Sequence, residues 1–253
     1  MILVKSGREI ESMRKAGRIA ALALIEGGRL VRPGVTTKQI DDAIRRLIRR
    51  HGASPSFLGY RGYPASCNTS VNEEVIHGIP SRRRVLREGD ILSIDVGAFF
   101  EGFHGDTAAT FAVGEISGKA RRLIEVTREC FFKGAARAVP GARIRDISEA
   151  VQGHAGNSGC DVVRDWTGHG VGRSLHEDPE IPNFTDGKRG PRLLSGMTLA
   201  IEPMIVTGNG ETKILRDDWT VVTTDGSLAA HYEHTVLVTA DKPEFLTLID
   251  GSV

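Results

Sequence analysis

Two aspartates interrupt runs that are otherwise written as apolar strands. In residues 91–113, ILSIDVGAFFEGFHGDTAATFAV, Ile91, Leu92, Ile94 and Val96 make a largely β-branched run with Asp95 inside it. Asp106 opens a return run of Thr107, Thr110, Phe111 and Val113. Residues of these types favour strands, and Gly102 and Gly105 stand where the chain must turn back, so the stretch reads as a β-hairpin. A carboxylate inside a buried strand is costly unless a positive group compensates it. The segment holds no Lys or Arg, and the nearest basic residue upstream is Arg87. A divalent metal ion meets that need, because carboxylate oxygens are its natural ligands. The plainer reading makes one Asp a turn residue and the other an edge charge.

Eight histidines add nitrogen donors. His169, within Trp166-Thr-Gly-His-Gly-Val-Gly172, is the best candidate, because flanking glycines let the backbone approach closely and present the imidazole. Carboxylate-rich sites with one imidazole suit Mn, Fe, Co or Zn. His77, before Gly78-Ile-Pro80, and His176, in Ser174-Leu-His-Glu-Asp178, are candidates for holding a substrate carbonyl or a developing oxyanion. For each of the three, a hydrogen-bonded structural role is the competing reading. His51, His104 and His154 have weaker cases, and His231 and His234 flank Glu233, where either could support a metal ligand.

The elements that carry these groups occur twice. Ser6 and Glu9 form a capping-box pattern before a helix with Ile10, Met13, Ala16, Ile19, Ala20, Ala23 and Leu24 on one face, expected to end at Gly27-Gly28. Pro33-Gly34 makes a turn, Thr37 caps a second helix through Ile48, and Gly52 stops it. Residues 71–77 read as one short strand before the hairpin. A helix from Lys119 to Ala138, a Pro140-Gly141 turn, a helix around Ile147 and an apolar strand ending at Glu202 repeat that order. Pro33 and Pro140, Ile40 and Ile147, Gly52 and Gly159, Gly89 and Gly196, Leu92 and Leu199, and Asp95 and Glu202 all lie 107 residues apart. That recurrence implies two copies of one unit whose exposed sheet faces cover each other. Glu233, 31 residues after Glu202, precedes Thr235-Val-Leu-Val238 and answers Asp106 in this reading. Four carboxylates meeting at one interface raise each other's pKa and call for more than one cation.

Composition sets the frame. The 253 residues suffice for one or two domains, and 40% hydrophobic with 26% charged residues is ordinary for a soluble globular chain. A net charge of +1 gives no general attraction to nucleic acid or membrane. Arg45-Arg46 with Arg49-Arg50 reads as a solvated helix face and Arg82-Arg83-Arg84 as a surface loop. Three cysteines without metal-motif spacing fit a reducing, cytoplasmic setting. The N-terminus carries no signal-peptide pattern, and no stretch approaches the ~20 apolar residues of a membrane span.

VNEEVIHGIP (71–80), LSIDVGAFFEGFHGDTAATF (92–111), TGHGVGRSLHEDPEIPNF (167–184), GMTLAIEPM (196–204) and DDWTVVTTDGSLAAHYEHTVLVT (217–239) resemble the type 1 methionine aminopeptidases, in their short bacterial form, over essentially the whole chain. The resemblance implies an α/β pita-bread fold of the aminopeptidase/creatinase kind, an antiparallel-rich curved sheet covered by helices. It would form one catalytic domain, 1–253, with pseudo-symmetric halves of about 1–115 and 116–253. It implies a dinuclear site of two divalent ions (Co, Mn, Fe or Zn), with Asp106 and Glu233 bridging, Asp95 completing one ion, and His169 with Glu202 the other. His77 and His176 would bind substrate, and Glu202 would shuttle the proton. The implied reaction is hydrolytic removal of N-terminal methionine from nascent proteins whose second residue is small, by metal-activated hydroxide attack on the first peptide carbonyl. The implied methionine pocket is Phe57, Tyr60, Tyr63, Asn68, Leu175 and Trp219, each of which also suits plain core. Asn68 stands where many relatives have Cys, and Leu175 where some have Phe. The expected partners are nascent polypeptide N-termini, with the ribosome as a candidate, no membrane and no specific nucleic acid; the enzyme is expected to be a cytoplasmic monomer.

Three other readings compete. A proline-specific peptidase on the same fold usually carries an extra N-terminal domain, and none is expected before Ser6. A non-catalytic binding protein on this fold is expected to lose ligands, and all five are intact. RNA binding through Arg82-Arg83-Arg84 is tested by a salt-dependent binding assay.

Overall fold

The computed structural model describes residues 2–249. Helix α1 spans Gly7–Arg29, and its start is closed by the Glu9 carboxylate, which accepts from the Ser6 backbone N–H at 2.8 Å. Its apolar stripe, Met13, Ala16, Ile19, Ala20, Ala23 and Leu24, is buried. The helix runs through Gly27 and Gly28 rather than ending there. These glycines serve packing: a Cβ on Gly28 would lie 2.4 Å from a Phe111 ring carbon, and one on Gly27 2.8 Å from Ile44 Cδ1. Helix α2 spans Thr37–Arg50, so Thr36 rather than Thr37 is its cap, accepting from the Gln39 N–H at 3.3 Å. It buries Ile40, Ala43, Ile44 and Ile48, while Arg46, Arg49 and Arg50 face solvent.

Two short strands follow, β1 (Ser54–Pro55) and β2 (Asn68–Val71), separated by a 3₁₀ turn at Tyr60–Gly62. Residues 71–77 are not one strand. Asn72 takes a left-handed φ of +58°, tolerable for Asn, and breaks the run before β3 (Glu74–Ile76). Its side chain explains the break: the Asn72 amide donates to Asp90 Oδ1 at 2.8 Å, and Asn72 Oδ1 accepts from the Ile91 N–H at 2.9 Å. The hairpin is as expected, with β4 (Ile91–Phe100) and β5 (Phe103–Ala112) paired from Ile91↔Ala112 to Phe100↔Phe103. Its turn is Glu101-Gly102, both at positive φ. Gly105 lies inside β5 instead, where a Cβ would come 2.5 Å from Gly17 Cα in the overlying α1.

The second half opens with α3 (Gly118–Ala135), capped by Ser117, and α4 (Ile144–Asn157). The strands are β6 (Asp161–Val162), β7 (Thr167–Gly170), β8 (Glu177–Pro182), β9 (Thr198–Ile201), β10 (Met204–Val206), β11 (Thr212–Ile214), β12 (Val221–Thr223), β13 (Ala229–His231), β14 (Glu233–Leu237) and β15 (Glu244–Phe245). The offset of 107 reappears as matched hydrogen bonds. Gly34 donates to the Leu86 carbonyl and Gly141 to that of Leu193, both at 2.9 Å. The isolated bridges Thr36–Val85 and Arg143–Arg192 are separated by the same interval.

The main antiparallel sheet runs β1-β4-β5-β14-β9-β7-β8, with β2 beside β4 and β15 beside β14. Two three-stranded sheets, β13-β10-β6 and β11-β12-β3, flank it. Leu86, Leu92 and Ile94 share one buried cluster with their repeat equivalents Leu193, Leu199 and Ile201. Among the described residues, no helix is long and apolar enough to cross a membrane.

The seam between the repeats is β5–β14, where Glu233 faces Ala108. In the first hairpin Asp95 pairs with Ala108; continuing the β9–β14 register past His234↔Ile201 sets Glu202 against Glu233. Ala108 is therefore the repeat equivalent of Glu233, and His231 that of Asp106, which corrects the expectation that Glu233 answers Asp106. The longer connection in the second half shifts its return strand. Asp106 still meets Glu233, because Asp106 and Ala108, two residues apart on one strand, share a face.

Candidate metal centre and substrate cleft

Asp95 projects from β4 and Asp106 from β5. Gly97, the ladder partner of Asp106, is two residues from Asp95, so the strand period puts both carboxylates on one sheet face. The Asn68 amide donates to Asp95 Oδ2 at 2.6 Å. The backbone of Asp106 is clamped by Thr235, whose hydroxyl accepts from the Asp106 N–H at 3.0 Å and donates to its carbonyl at 2.9 Å. Glu233 opens β14, and its carbonyl accepts from Thr107 Oγ1 at 2.8 Å. Glu202 follows β9 directly. His169 lies in β7, with Nδ1 2.8 Å from the Gly170 carbonyl, an arrangement in which Nδ1–H donates and the Nε2 lone pair is free. That Nε2 sits 3.4 Å from Glu202 Oε1.

One ligand atom each from Asp106, His169 and Glu233 fall within 4.8 Å of one another. Asp95 Oδ1, Asp106 Oδ1 and Glu233 Oε1 are shielded from solvent and have no hydrogen-bond partner. Burial pushes the Asp106 carboxyl up to about 7. Burial, and then the Asp106 charge, raises Asp95 and Glu233 well above the usual carboxylate range. Glu202 is raised by burial and by Asp95. Burial lowers His169 to about 3, so its ring is neutral at pH 7. Orphaned carboxylate oxygens around a neutral imidazole with a free lone pair are the donor set of a first-row divalent metal, and the residues fit it.

Around this cluster lies a cleft of about 420 Å³, lined by every one of the residues singled out from the sequence as ligands, substrate-binding histidines or pocket wall. His77 is held at φ +60°, with its ring edge-on to Trp166 at 5.2 Å and to Trp219 at 6.1 Å. The His176 ring is 4.1 Å from that of His169, and its Nδ1 is 2.8 Å from Tyr60 Oη. Burial lowers both His77 and His176 to about 4, leaving them neutral. On the apolar wall Phe57, Tyr63 and Leu175 are buried together, and Tyr60 and Trp219 pack against them. The Tyr63 hydroxyl lies 3.1 Å from the carbonyls of both Cys67 and Gly78.

The cleft also contains residues that sequence reasoning left without a role: Trp166, Arg61, Asp165, Ile214 and Asp218. Trp166 stands three residues before His169, and that adjacency was the available signal. Of the two histidines flanking Glu233, only His231 reaches the site, its Nε2 3.6 Å from Glu202 Oε2. Residues 231 and 233 share a strand face, whereas His234 points the other way, onto Thr247 and the Phe131 ring. His154 pairs with Glu129 at 2.7 Å and His51 with the Leu47 carbonyl at 3.0 Å, both away from the cleft.

Residues 11–240 match metallopeptidase family M24. A methionine aminopeptidase of Clostridium acetobutylicum is 53% identical over 250 residues, covering 99% of this chain and 100% of the relative. Methionine aminopeptidase 1 of Bacillus subtilis is 49% identical, with 98% and 100% covered. The crystal structure of a Thermotoga maritima methionine aminopeptidase superposes with a TM-score of 0.96 at 45% identity, covering 98% of this chain and 100% of that one. A prolidase from Pyrococcus horikoshii superposes at 0.80 with 23% identity, over 99% of this chain and 65% of that one, a likeness of fold alone.

Proposed function

The chain belongs to metallopeptidase family M24, and on that footing we infer that it is a metal-dependent hydrolase releasing N-terminal methionine from polypeptides whose second residue is small. The observation that carries this reading is the cleft itself: orphaned, buried carboxylates stand directly beside an apolar, aromatic wall. A thioether packs well against such rings, and the full-length relatives are named for the same reaction.

Asp95, Asp106, His169, Glu202 and Glu233 would hold two divalent ions at the site. When bound, such ions supply Lewis acidity and make a water-derived nucleophile available near neutral pH. The rest falls to side chains. His176, held by Tyr60, and His77 are neutral donors that stabilise the peptide oxygen as it gains charge. Glu202, whose carboxylate lies 3.4 Å from His169 Nε2 and 3.6 Å from His231 Nε2, carries a proton to the leaving amine. Phe57, Tyr60, Tyr63, Leu175 and Trp219 seat the methionine, and Asn68 steadies Asp95 at the edge of that seat. The halves, about 1–115 and 116–253, act as one catalytic domain, since each contributes ligands. Three free cysteines fit a reducing cytoplasm, where we place a monomer acting on new chains beside the ribosome.

Metal-depleted protein assayed on Met-Ala-Ser with Mn, Fe, Co or Zn restored singly tests this directly. Release of methionine with at least one ion is expected, with no cleavage of Xaa-Pro substrates. Cleavage confined to Xaa-Pro would overturn the assignment.

A further inference from the structure

Lys5 and Glu177 form an ion pair that the metal centre does not use. Lys5 Nζ lies 2.5 Å from Glu177 Oε2, and both side chains are almost wholly buried, at 5% and 6% exposure. The pair is built in tightly. The Lys5 N–H donates to the Gly196 carbonyl at 2.8 Å. A Cβ on Gly172 would come 2.6 Å from both Lys5 Cε and Glu177 Oε1, so any larger residue there would have to push the pair aside. The second carboxylate oxygen of Glu177 accepts from the Ser174 N–H at 3.2 Å and closes the turn that carries Leu175 and His176. The base of that turn is tied by the His104 N–H, which donates to the Gly172 carbonyl at 2.8 Å. Its outer side is tied by Arg173, which reaches Glu9 at 3.1 Å. Residues 5–9 therefore grip the 172–177 loop at two points, with His176 between them.

We propose that Lys5 and Glu177 are positioning residues: their buried pair latches the N-terminal segment to the 172–177 loop and thereby sets His176 against the scissile carbonyl. The proposal rests on the aminopeptidase reading, because it acts through His176. A buried pair is dear to keep and costly to break on one side only, since the survivor is left charged without a partner. This pair lies directly beneath a substrate-facing loop, where a shift of about 1 Å in a catalytic group costs on the order of 10²-fold in rate.

The test is a mutant cycle on metal-loaded protein with Met-Ala-Ser, using wild type, Lys5→Met, His176→Ala and the double variant. Lys5→Met is expected to lower kcat at least tenfold with little change in KM, and to cost nothing further once His176 is Ala. Metal affinity, read by calorimetry, should be unchanged. Should Lys5→Met fail to fold, Lys5→Met/Glu177→Leu leaves no lone charge and takes its place in the same cycle. Multiplying losses in the double variant, or a kcat within twofold of wild type, would overturn the latch. An inactive wild type would instead sink the aminopeptidase reading itself.

Discussion

At the scale of single residues the carboxylates decide the chemistry. Glu202→Gln keeps the volume but cannot exchange protons, so kcat on Met-Ala-Ser should fall by about 10²–10⁴-fold. Far-UV circular dichroism should stay unchanged. His169→Ala should abolish turnover by weakening metal binding. Burial raises Asp106 to about 7 and lifts Asp95, Glu202 and Glu233 well above the usual carboxylate range, so at pH 7 the metal-free site still holds protons, on Asp106 at the least. His169, lowered to about 3, carries none. Metal uptake must therefore expel protons. Calorimetric titrations in two buffers of different ionisation enthalpy should show net proton release at pH 7, and apparent affinity should drop at pH 6. Tyr60→Phe removes the 2.8 Å bond to His176 Nδ1 and leaves the apolar wall intact. It should lower kcat more than it raises KM; the reverse would make Tyr60 a wall residue only.

At the scale of elements, the helices and the sheet meet through missing side chains. A Cβ on Gly105 would strike the α1 backbone at Gly17, and backbone yields less readily than a flexible side chain. Gly105→Ala should destabilise by about 1–3 kcal/mol, read by urea unfolding, and should also lower activity because Asp106 is the next residue. Glycine is where the sequence was hardest to read. Gly27 and Gly28 looked like a helix end, and Gly105 looked like a turn, because local propensity reports conformational freedom but not close approach. Asn72 hid a break in what read as one short strand, since its side-chain bonds to Asp90 and Ile91 form only once those residues are adjacent. The hairpin, the paired helices and the 107-residue interval were legible, because burial writes the same periodicity into both copies. The candidate ligands were legible for a related reason, as acids stand out in strands that have no other use for them. Trp166 and the Lys5–Glu177 pair were not, for their partners lie far along the chain, Trp166 against His77 and Lys5 against Glu177.

At the scale of the whole molecule, the two repeats converge on a cluster that disfavours folding until a cation arrives. The sign follows from the pKa shifts. Asp106 has a folded pKa near 7 against about 3.9 unfolded, so its contribution is favourable below the unfolded value and is lost as pH rises through 7. The buried histidines run oppositely, with folded values near 3 or 4, and they cost stability only as pH falls below about 6.5. Around pH 7 the histidines are nearly silent and Asp106 sets the slope. In that window metal-free protein should lose thermal stability as pH rises. Glu233→Gln, which removes one of the crowded acids, should melt higher than metal-free wild type. Divalent metal reverses the order. At a hundred times its Kd an ion adds about 2.7 kcal/mol to the state that binds it, and wild type, with its ligands intact, gains more than the variant. Differential scanning fluorimetry across pH, with and without Mn, reads all four conditions. A Gln variant that melts lower than wild type in the absence of metal would show that Glu233 is stabilised by protein partners, and that the seam between the repeats does not depend on an ion.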